Sequence, residues 1–157
     1  MSMLFRTTAL VAAFVGAMSL AAVSAQEKVV STPQGDITLP STPAKVLTQD
    51  WAVFDNLNAL GVAVAGVPSS NAPGYLADAL PADALQLGSL FEPDFEGIAA
   101  SEADVYFVAS RSAAAFETAK DILPTIDLTV DNADIIGGVK GNITKLGEIF
   151  DLQDKAA

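Results

Sequence analysis

The fold is decided by one stretch of sequence, residues 88–111, GSLFEPDFEGIAASEADVYFVASR. Pro93 suits the first turn of a helix, where its missing N–H breaks no hydrogen bond. Phe95 and Ile98 then fall on one face of that helix. After a polar break, Val105 to Ala109 form a short apolar run, which is typical of a strand covered on both faces in a parallel sheet. The stretch therefore predicts a loop, a helix and a buried strand in succession.

Polar residues follow this predicted strand directly. Ser110, Arg111 and Ser112 stand at its carboxyl end. In open α/β folds, ligands bind at the carboxyl ends of the strands. We therefore expect Arg111 and Ser112 to lie at a binding edge of the sheet.

Strands and helices alternate along the rest of the chain. Two short extended runs flank a turn at residues 33–35 and predict a β-hairpin. Apolar runs predict further strands at residues 45–48, 62–67, 86–88 and 125–130, the last with one less covered face. Helical spacing predicts helices at residues 51–61, 76–80, 112–123 and 134–150. Asp50 suits the N-cap of the first of these helices and Gly61 its C-terminal end.

The last predicted helix carries one apolar stripe, which we expect to face the core. Its members recur at spacings of three and four: Ile135, Val139, Ile143, Leu146 and Phe150. Strands alternating with helices indicate right-handed βαβ units, and hence a parallel sheet with helices on both faces.

The first 25 residues have the pattern of a cleavable signal peptide. Arg6 precedes an uncharged apolar stretch, and small residues end it at Val23-Ser-Ala25. A transmembrane anchor is the other interpretation of about 20 apolar residues, but small residues dominate here. The chain has no cysteine to carry a lipid anchor. We expect residues 26–157 to be a free periplasmic protein that is not embedded in the membrane.

The composition excludes several classes of function. Residues 26–157 contain seven of the eight basic residues and all 19 acidic ones, giving a net charge of 7 − 19 = −12. Such a surface repels phosphate backbones, so we expect no nucleic-acid partner. With no histidine and no cysteine, the usual nucleophilic triads and thiolate or imidazole metal sites are absent. The acidic pairs at 94/96 and 131/134 fit helix starts, so we expect neither enzyme activity nor a metal site.

Residues 88–111 resemble the core of periplasmic solute-binding proteins of iron–siderophore ABC transporters, the clamshell class that includes the vitamin B12 binders. The shared pattern is a glycine, a polar-aromatic loop, a Pro-Asp-x-Glu helix start, an apolar helix, an aspartate and an apolar strand. It stands here as Gly88, Ser89-Leu-Phe91, Pro93-Asp-Phe-Glu96, Ile98-Ala-Ala100, Asp104 and Val105–Val108. Ala103 departs from it, since the family usually has proline there.

The resemblance covers residues 29–157 and only the N-terminal half of the family's usual length. It implies a Rossmann-like three-layer lobe: a mainly parallel sheet flanked by helices and preceded by a β-hairpin. We expect residues 26–157 to form this N-terminal lobe and the second lobe to be absent.

The resemblance also implies a role for Arg111. Catecholate-binding members of the family line their cleft with arginines, one of them at this strand end. A guanidinium matches the oxygens of a ferric catecholate in charge and geometry. The other interpretation is a surface arginine paired with a nearby carboxylate, which contributes little to stability.

Several further residues follow predicted strand ends and are candidates to contact the ligand. Trp51, Tyr75 and Phe91 offer rings for stacking, and Ser89 and Ser112 offer hydroxyls. Trp51 also fits the apolar stripe of its own helix, so a core position is an equal alternative. Glu96 matches the glutamate that, in B12-type importers, pairs with permease arginines. A solvated first-turn glutamate is the simpler interpretation of Glu96.

These observations predict a periplasmic binding component of an ABC iron importer, truncated to one lobe. Its ligand would be a ferric siderophore, of catecholate type in preference to hydroxamate, with iron held by the siderophore and with no cofactor. Its partner would be an inner-membrane permease. The competing prediction is a secreted protein-interaction domain that has lost transport, marked by an apolar patch where a second lobe would pack.

Overall fold

The computed structural model describes residues 27–157, so the predicted signal peptide lies outside the described residues. The strands are β1 Lys28–Thr32, β2 Gly35–Leu39, β3 Val46–Thr48, β4 Gly66–Val67, β5 Leu85–Gln86, β6 Val105–Val108 and β7 Thr125–Asp127. The α-helices are α1 Trp51–Leu60, α2 Phe95–Ala100, α3 Phe116–Ala119, α4 Ile135–Phe150 and α5 Gln153–Ala156. Two 3-10 helices span Gly74–Ala79 and Ser110–Ala115.

The centre of the fold is a five-stranded parallel sheet with the strand order β5-β4-β3-β6-β7. Within this sheet the chain begins at β3 and adds β4 and then β5 on one side. It then returns to add β6 and β7 on the other side of β3. The strand order therefore reverses between β3 and β6. In open α/β sheets this reversal opens a crevice beside the carboxyl ends of the two strands.

Helices cover both faces of the sheet, which confirms the predicted three-layer architecture. On one face, α1 and α4 pack on Val46, Phe107 and Ile126. On the other face, α2 and α3 enclose Leu47 and Tyr106. Successive residues of β3 and β6 thus enter opposite cores, as side chains that alternate along buried strands must.

The predicted hairpin is present as the antiparallel pair of β1 and β2. It is attached to α4, because Lys28 Nζ lies 2.6 Å from Asp151 Oδ1 and Lys145 Nζ donates to the Ser31 carbonyl (2.9 Å). Gln34, in the hairpin turn, donates to Asp127 at the end of β7 (2.9 Å).

That contact helps explain why one prediction about β7 is wrong. The alternating sequence predicted a strand over residues 125–130 with one less covered face. The strand ends at Asp127, and all three of its residues are buried. The Asp127 carboxylate is satisfied inside the fold by protein donors, so its polarity does not mark an exposed face.

Helix α1 confirms both of its predicted ends. The Asp50 carboxylate accepts hydrogen bonds from the amides of Ala52 and Val53 (2.8 and 3.2 Å), and so occupies two of the four N-terminal donors. Gly61 ends the helix in the left-handed region at φ 77°.

Some predicted elements are shorter or shifted. The strand predicted at 62–67 contains only Gly66–Val67, and the helix predicted at 112–123 divides into a 3-10 turn and α3. Pro93 lies before α2 and not in its first turn, because Asp94 is the N-cap and accepts from the Gly97 amide.

Helix α4 has the predicted bounds but not the predicted burial. Its C-terminal half packs in the core through Leu146 and Phe150, whereas Ile135 and Val139 are 54% and 37% exposed. Sixteen helical residues span about 24 Å, and the three residues of β7 about 10 Å. The helix therefore extends past the sheet, and its first turns have no strand beneath them. Within residues 27–157, no helix has the length and apolar character needed to cross a membrane.

Candidate functional site

A groove opens at the carboxyl ends of β3, β6 and β7, where the strand order reverses. Its volume is about 350 Å³. One wall is the start of α1, the floor is the turn after β6, and the other wall is the exposed half of α4. The lining residues include Trp51, Asn56, Ser110, Arg111, Val130, Asn132, Ile135, Val139 and Asn142.

Arg111 is exposed in this groove and has a free guanidinium. Within residues 27–157, its side chain forms no ion pair or hydrogen bond with another residue. Lys28 and Lys120 do form ion pairs, and three further lysines donate to backbone carbonyls. The interpretation of Arg111 as half of a surface ion pair therefore has no partner in the described part of the chain.

The turn that presents Arg111 is held by a hydrogen bond between its backbone and a side chain of the loop after β7. Ser110 has φ 52°, in the left-handed region that residues other than glycine seldom adopt. Its amide donates to Thr129 Oγ1 (2.8 Å), and the Thr129 hydroxyl donates to Asp127 Oδ1 (2.6 Å). The loop after β7 thus holds the turn after β6.

Ser112 is brought to this turn, but its side chain faces inward. It is 1% exposed. Its hydroxyl donates to the Ala109 carbonyl (3.0 Å) and accepts from the Ala109 amide (3.1 Å). In this geometry the Ser112 hydroxyl closes the 3-10 turn and is turned away from the groove, and a ligand contact by Ser112 stays a prediction.

Trp51 lines the groove, although most of its ring lies in the core. It is 7% exposed and packs edge-to-face on Phe54, with ring centroids 5.8 Å apart. Its indole N–H donates to Ser70 Oγ (3.2 Å). The core alternative thus describes most of the ring, and only one edge is left for a ligand.

The loop that carries Ser89 and Phe91 is rigidly held outside the groove lining. Ser89 Oγ accepts from the Phe91 and Glu92 amides (3.3 and 2.9 Å), so this hydroxyl shapes its own turn. The buried Gln49 side chain donates to the Ser89 carbonyl (2.7 Å). At the tip of the loop, Phe91 is 73% exposed.

Tyr75 is also exposed and does not line the groove that contains Arg111. Its hydroxyl donates to Asp55 Oδ2 (3.1 Å), and this bond raises the pKa of the Tyr75 phenol above its usual value. The exposed ring remains free to stack, while the hydroxyl is engaged by α1.

Glu96 lies in the first turn of α2 with an exposed carboxylate. Neither an ion pair nor a side-chain hydrogen bond involves Glu96 in the described range. The site therefore divides: Arg111 and Trp51 share the groove, whereas Ser89, Phe91, Tyr75 and Glu96 lie outside its lining.

Sequence reasoning missed the α4 wall of the groove. Ile135 and Val139 were expected in the core, and Asn142 was not expected at the site. The Asn142 amide donates to the Leu128 carbonyl (2.7 Å), which ties α4 to the loop after β7. The sequence carried no signal for this, because the strand predicted at residues 125–130 is about as long as the helix needs, and only the structure shows that β7 ends at Asp127.

Comparisons with known proteins agree with this fold. The profile of the family described as "Periplasmic binding protein" matches residues 46–157. Petrobactin-binding protein YclQ of Bacillus subtilis is 34% identical over 119 residues, which are 74% of this chain and 38% of that protein. Ferric-anguibactin-binding protein FatB of Vibrio anguillarum is 27% identical over 127 residues, 78% of this chain and 39% of its own.

Solved structures show the same lobe. The YclQ crystal structure superposes with a TM-score of 0.78 at 31% identity, covering 83% of this chain and 47% of that one. The siderophore binding protein BauB, bound to two molecules of acinetobactin and ferric iron, gives 0.77 at 26% identity, covering 83% and 48%. The chain spans about two fifths of the length of the curated relatives and about half of these solved chains. It belongs to the periplasmic binding protein family, as the resemblance of residues 88–111 predicted.

Proposed function

We propose that this lobe binds a ferric siderophore, of catecholate type, for an ABC iron importer. One observation carries the proposal: Arg111 is an exposed arginine with no protein partner in the described chain, placed in a groove at the strand-order reversal. In a protein with this acidic surface, it is a local attraction for an anionic ligand. The names of YclQ and FatB, which refer to siderophores, support the same ligand class.

Binding is non-covalent in this proposal and involves no catalysis. Oxygens of the siderophore hold the iron, and the guanidinium donates charge-assisted hydrogen bonds to the outer oxygens of the complex. The apolar residues Val130, Ile135 and Val139 contact the aromatic rings. The described lobe supplies one wall of the site. We therefore expect it to bind the ligand more weakly than a site that encloses the ligand on two sides.

The same proposal assigns Glu96 to the importer. Its exposed carboxylate in the first turn of α2 has no partner among residues 27–157 and is available to a permease arginine. Residues 1–25 would direct the chain to the periplasm as a cleavable signal.

A second candidate function rests on a different observation. Ile135, Ile136 and Val139 are 54%, 69% and 37% exposed on consecutive turns of α4. An exposed apolar patch of this kind is typical of a protein-binding surface. In this alternative the chain is an interaction domain and the groove has no small ligand.

The experiment is a titration of the chain with ferric catecholate and ferric hydroxamate complexes. Trp51, the one tryptophan of the sequence, reports binding because its edge lines the groove. We expect saturable quenching by the catecholate complex and at least about tenfold weaker binding in Arg111→Ala, since charge-assisted hydrogen bonds are lost.

Lys140→Ala is the matched control. Lys140 is also an exposed cation, but it lies outside the lining of the Arg111 groove. Its variant should bind like the wild type. Equal losses of affinity in both variants would mean that Arg111 acts only through the net charge of the protein. Unchanged quenching in Arg111→Ala would refute the placement of Arg111 in the site.

A further inference from the structure

The backbone before Arg111 is held in an uncommon conformation by a residue of the loop after β7. Ser110 lies at φ 52°, where a side chain costs roughly 1–2 kcal/mol relative to the right-handed region. Such a conformation persists only when its surroundings determine it. The contact that does so is the hydrogen bond from the Ser110 amide to Thr129 Oγ1 (2.8 Å).

Thr129 is itself oriented by Asp127. Its hydroxyl and its backbone amide both donate to Asp127 Oδ1, with Oγ1 and N at 2.6 and 2.8 Å from that oxygen. With the hydroxyl hydrogen committed to the carboxylate, an oxygen lone pair of Thr129 faces the Ser110 amide. The three groups form one chain of hydrogen bonds, amide to hydroxyl to carboxylate.

The other carboxylate oxygen of Asp127 is occupied as well. Gln34 Nε2 donates to Oδ2 at 2.9 Å, and Asp127 is 9% exposed. Both oxygens therefore serve the fold, so the carboxylate is engaged near the groove without pairing with Arg111. This arrangement keeps the guanidinium available to an external anion.

We propose that Thr129 and Asp127 are positioning residues for Arg111: through the Ser110 amide they fix the left-handed turn that directs the arginine into the groove. The inference rests on the proposed function for its effect on ligand affinity, and on geometry alone for its effect on the turn. It predicts that Thr129, which contributes no group to the groove lining, changes binding.

The test compares Thr129→Val, which removes the acceptor at nearly constant volume, with Thr129→Ser, which keeps it. Thr38→Val is the matched control, because Thr38 is an exposed threonine in β2 whose side chain makes no hydrogen bond in the described chain. Two quantities are measured: exchange of the Ser110 amide with solvent by NMR, and affinity for the ferric catecholate complex by Trp51 fluorescence.

We expect the Ser110 amide to exchange about twofold to tenfold faster in Thr129→Val, the range that the net value of one hydrogen bond gives. Affinity should fall on the order of fivefold, and Thr129→Ser and Thr38→Val should match the wild type in both measurements. Unchanged exchange in Thr129→Val would overturn the proposed turn. Faster exchange with unchanged affinity would overturn the positioning role. If the wild type bound no ferric complex, the proposed function would be refuted. Faster exchange of the Ser110 amide in Thr129→Val would still establish that Thr129 holds the turn.

Discussion

The phenol of Tyr106 donates a hydrogen bond to Gln49 Oε1 over 3.0 Å, and both side chains are fully buried. Gln49 follows β3 and Tyr106 lies in the neighbouring β6. The amide of Gln49 then donates to the backbone carbonyls of residues 87, 88 and 89. One buried pair thus connects the centre of the sheet to the loop that carries Phe91.

Removing the phenol hydroxyl should destabilise the fold. Tyr106→Phe leaves Gln49 Oε1 buried without a donor, which costs about 1–3 kcal/mol. Urea unfolding of the two proteins measures the difference. Tyr75→Phe is the control, because the Tyr75 hydroxyl is exposed and its bond to Asp55 competes with water; its change should stay within about 0.5 kcal/mol. Equal effects in the two variants would contradict the buried network.

The hairpin tether should make stability depend on pH in the acid range. The hydrogen bonds from Lys28 and then Thr42 lower the pKa of Asp151 below its ordinary value of 3.8. Because the folded state favours the carboxylate, this contribution is fully present above pH 3.8 and is lost as the pH falls through the lowered pKa. Asp151→Asn should therefore lower Tm at neutral pH, with the gap to wild type narrowing below about pH 4.

Asparagine is the suitable replacement at 151, since it tolerates the left-handed φ of 58° at this helix end. Asp83→Asn removes an exposed carboxylate that makes no side-chain hydrogen bond within residues 27–157. It should show no such narrowing gap. If the difference in Tm between the wild type and Asp151→Asn stayed constant with pH, the ion pair between Lys28 and Asp151 would not be the cause of that difference.

Gly88 should not tolerate a side chain. Its φ is 81°, and an added Cβ would lie 2.5 Å from the Glu92 carbonyl oxygen and 2.7 Å from the Asp94 amide nitrogen. Those are backbone atoms of its own tight loop, so Gly88→Ala should cost more than about 2 kcal/mol. Thermal unfolding compares it with Gly74→Ala, where an added Cβ meets nothing within 4 Å. A small loss of stability in Gly88→Ala would show that the loop rearranges easily.

The two halves of α4 should respond differently to the same substitution. Ile149 is 1% exposed, and Ile149→Ala should cost about 2–5 kcal/mol through a buried cavity. Ile136 is 69% exposed, and Ile136→Ala should change stability by less than about 0.5 kcal/mol. Denaturant unfolding of both variants measures this contrast. A large loss in Ile136→Ala would mean that the first turns of α4 are covered in solution.

The differences between the predicted and the observed side-chain positions have a common physical cause. The spacing of Ile135, Val139 and Leu146 identifies a single apolar face, but not how far the sheet extends beneath it. Ser112 and Trp51 were expected at the binding edge of the sheet because they follow strand ends, and their backbone does lie there. Side-chain direction depended on local turn geometry and on packing against Phe54. Strand position therefore predicts the edge of the sheet, and not which atoms at that edge face solvent.

The sequence by itself determined the order of the elements, the parallel sheet, the caps of α1 and the position of Arg111 at a strand end. The elements, the caps and the strand end depend on neighbours within a few residues, where periodicity and capping chemistry act, and the parallel sheet follows from the alternation of strands and helices. Only the tertiary structure decided that Asp127 is buried against Gln34, that Thr129 holds Ser110, and that half of α4 overhangs the sheet. These contacts join residues far apart in the chain, and they form only when several elements pack at once.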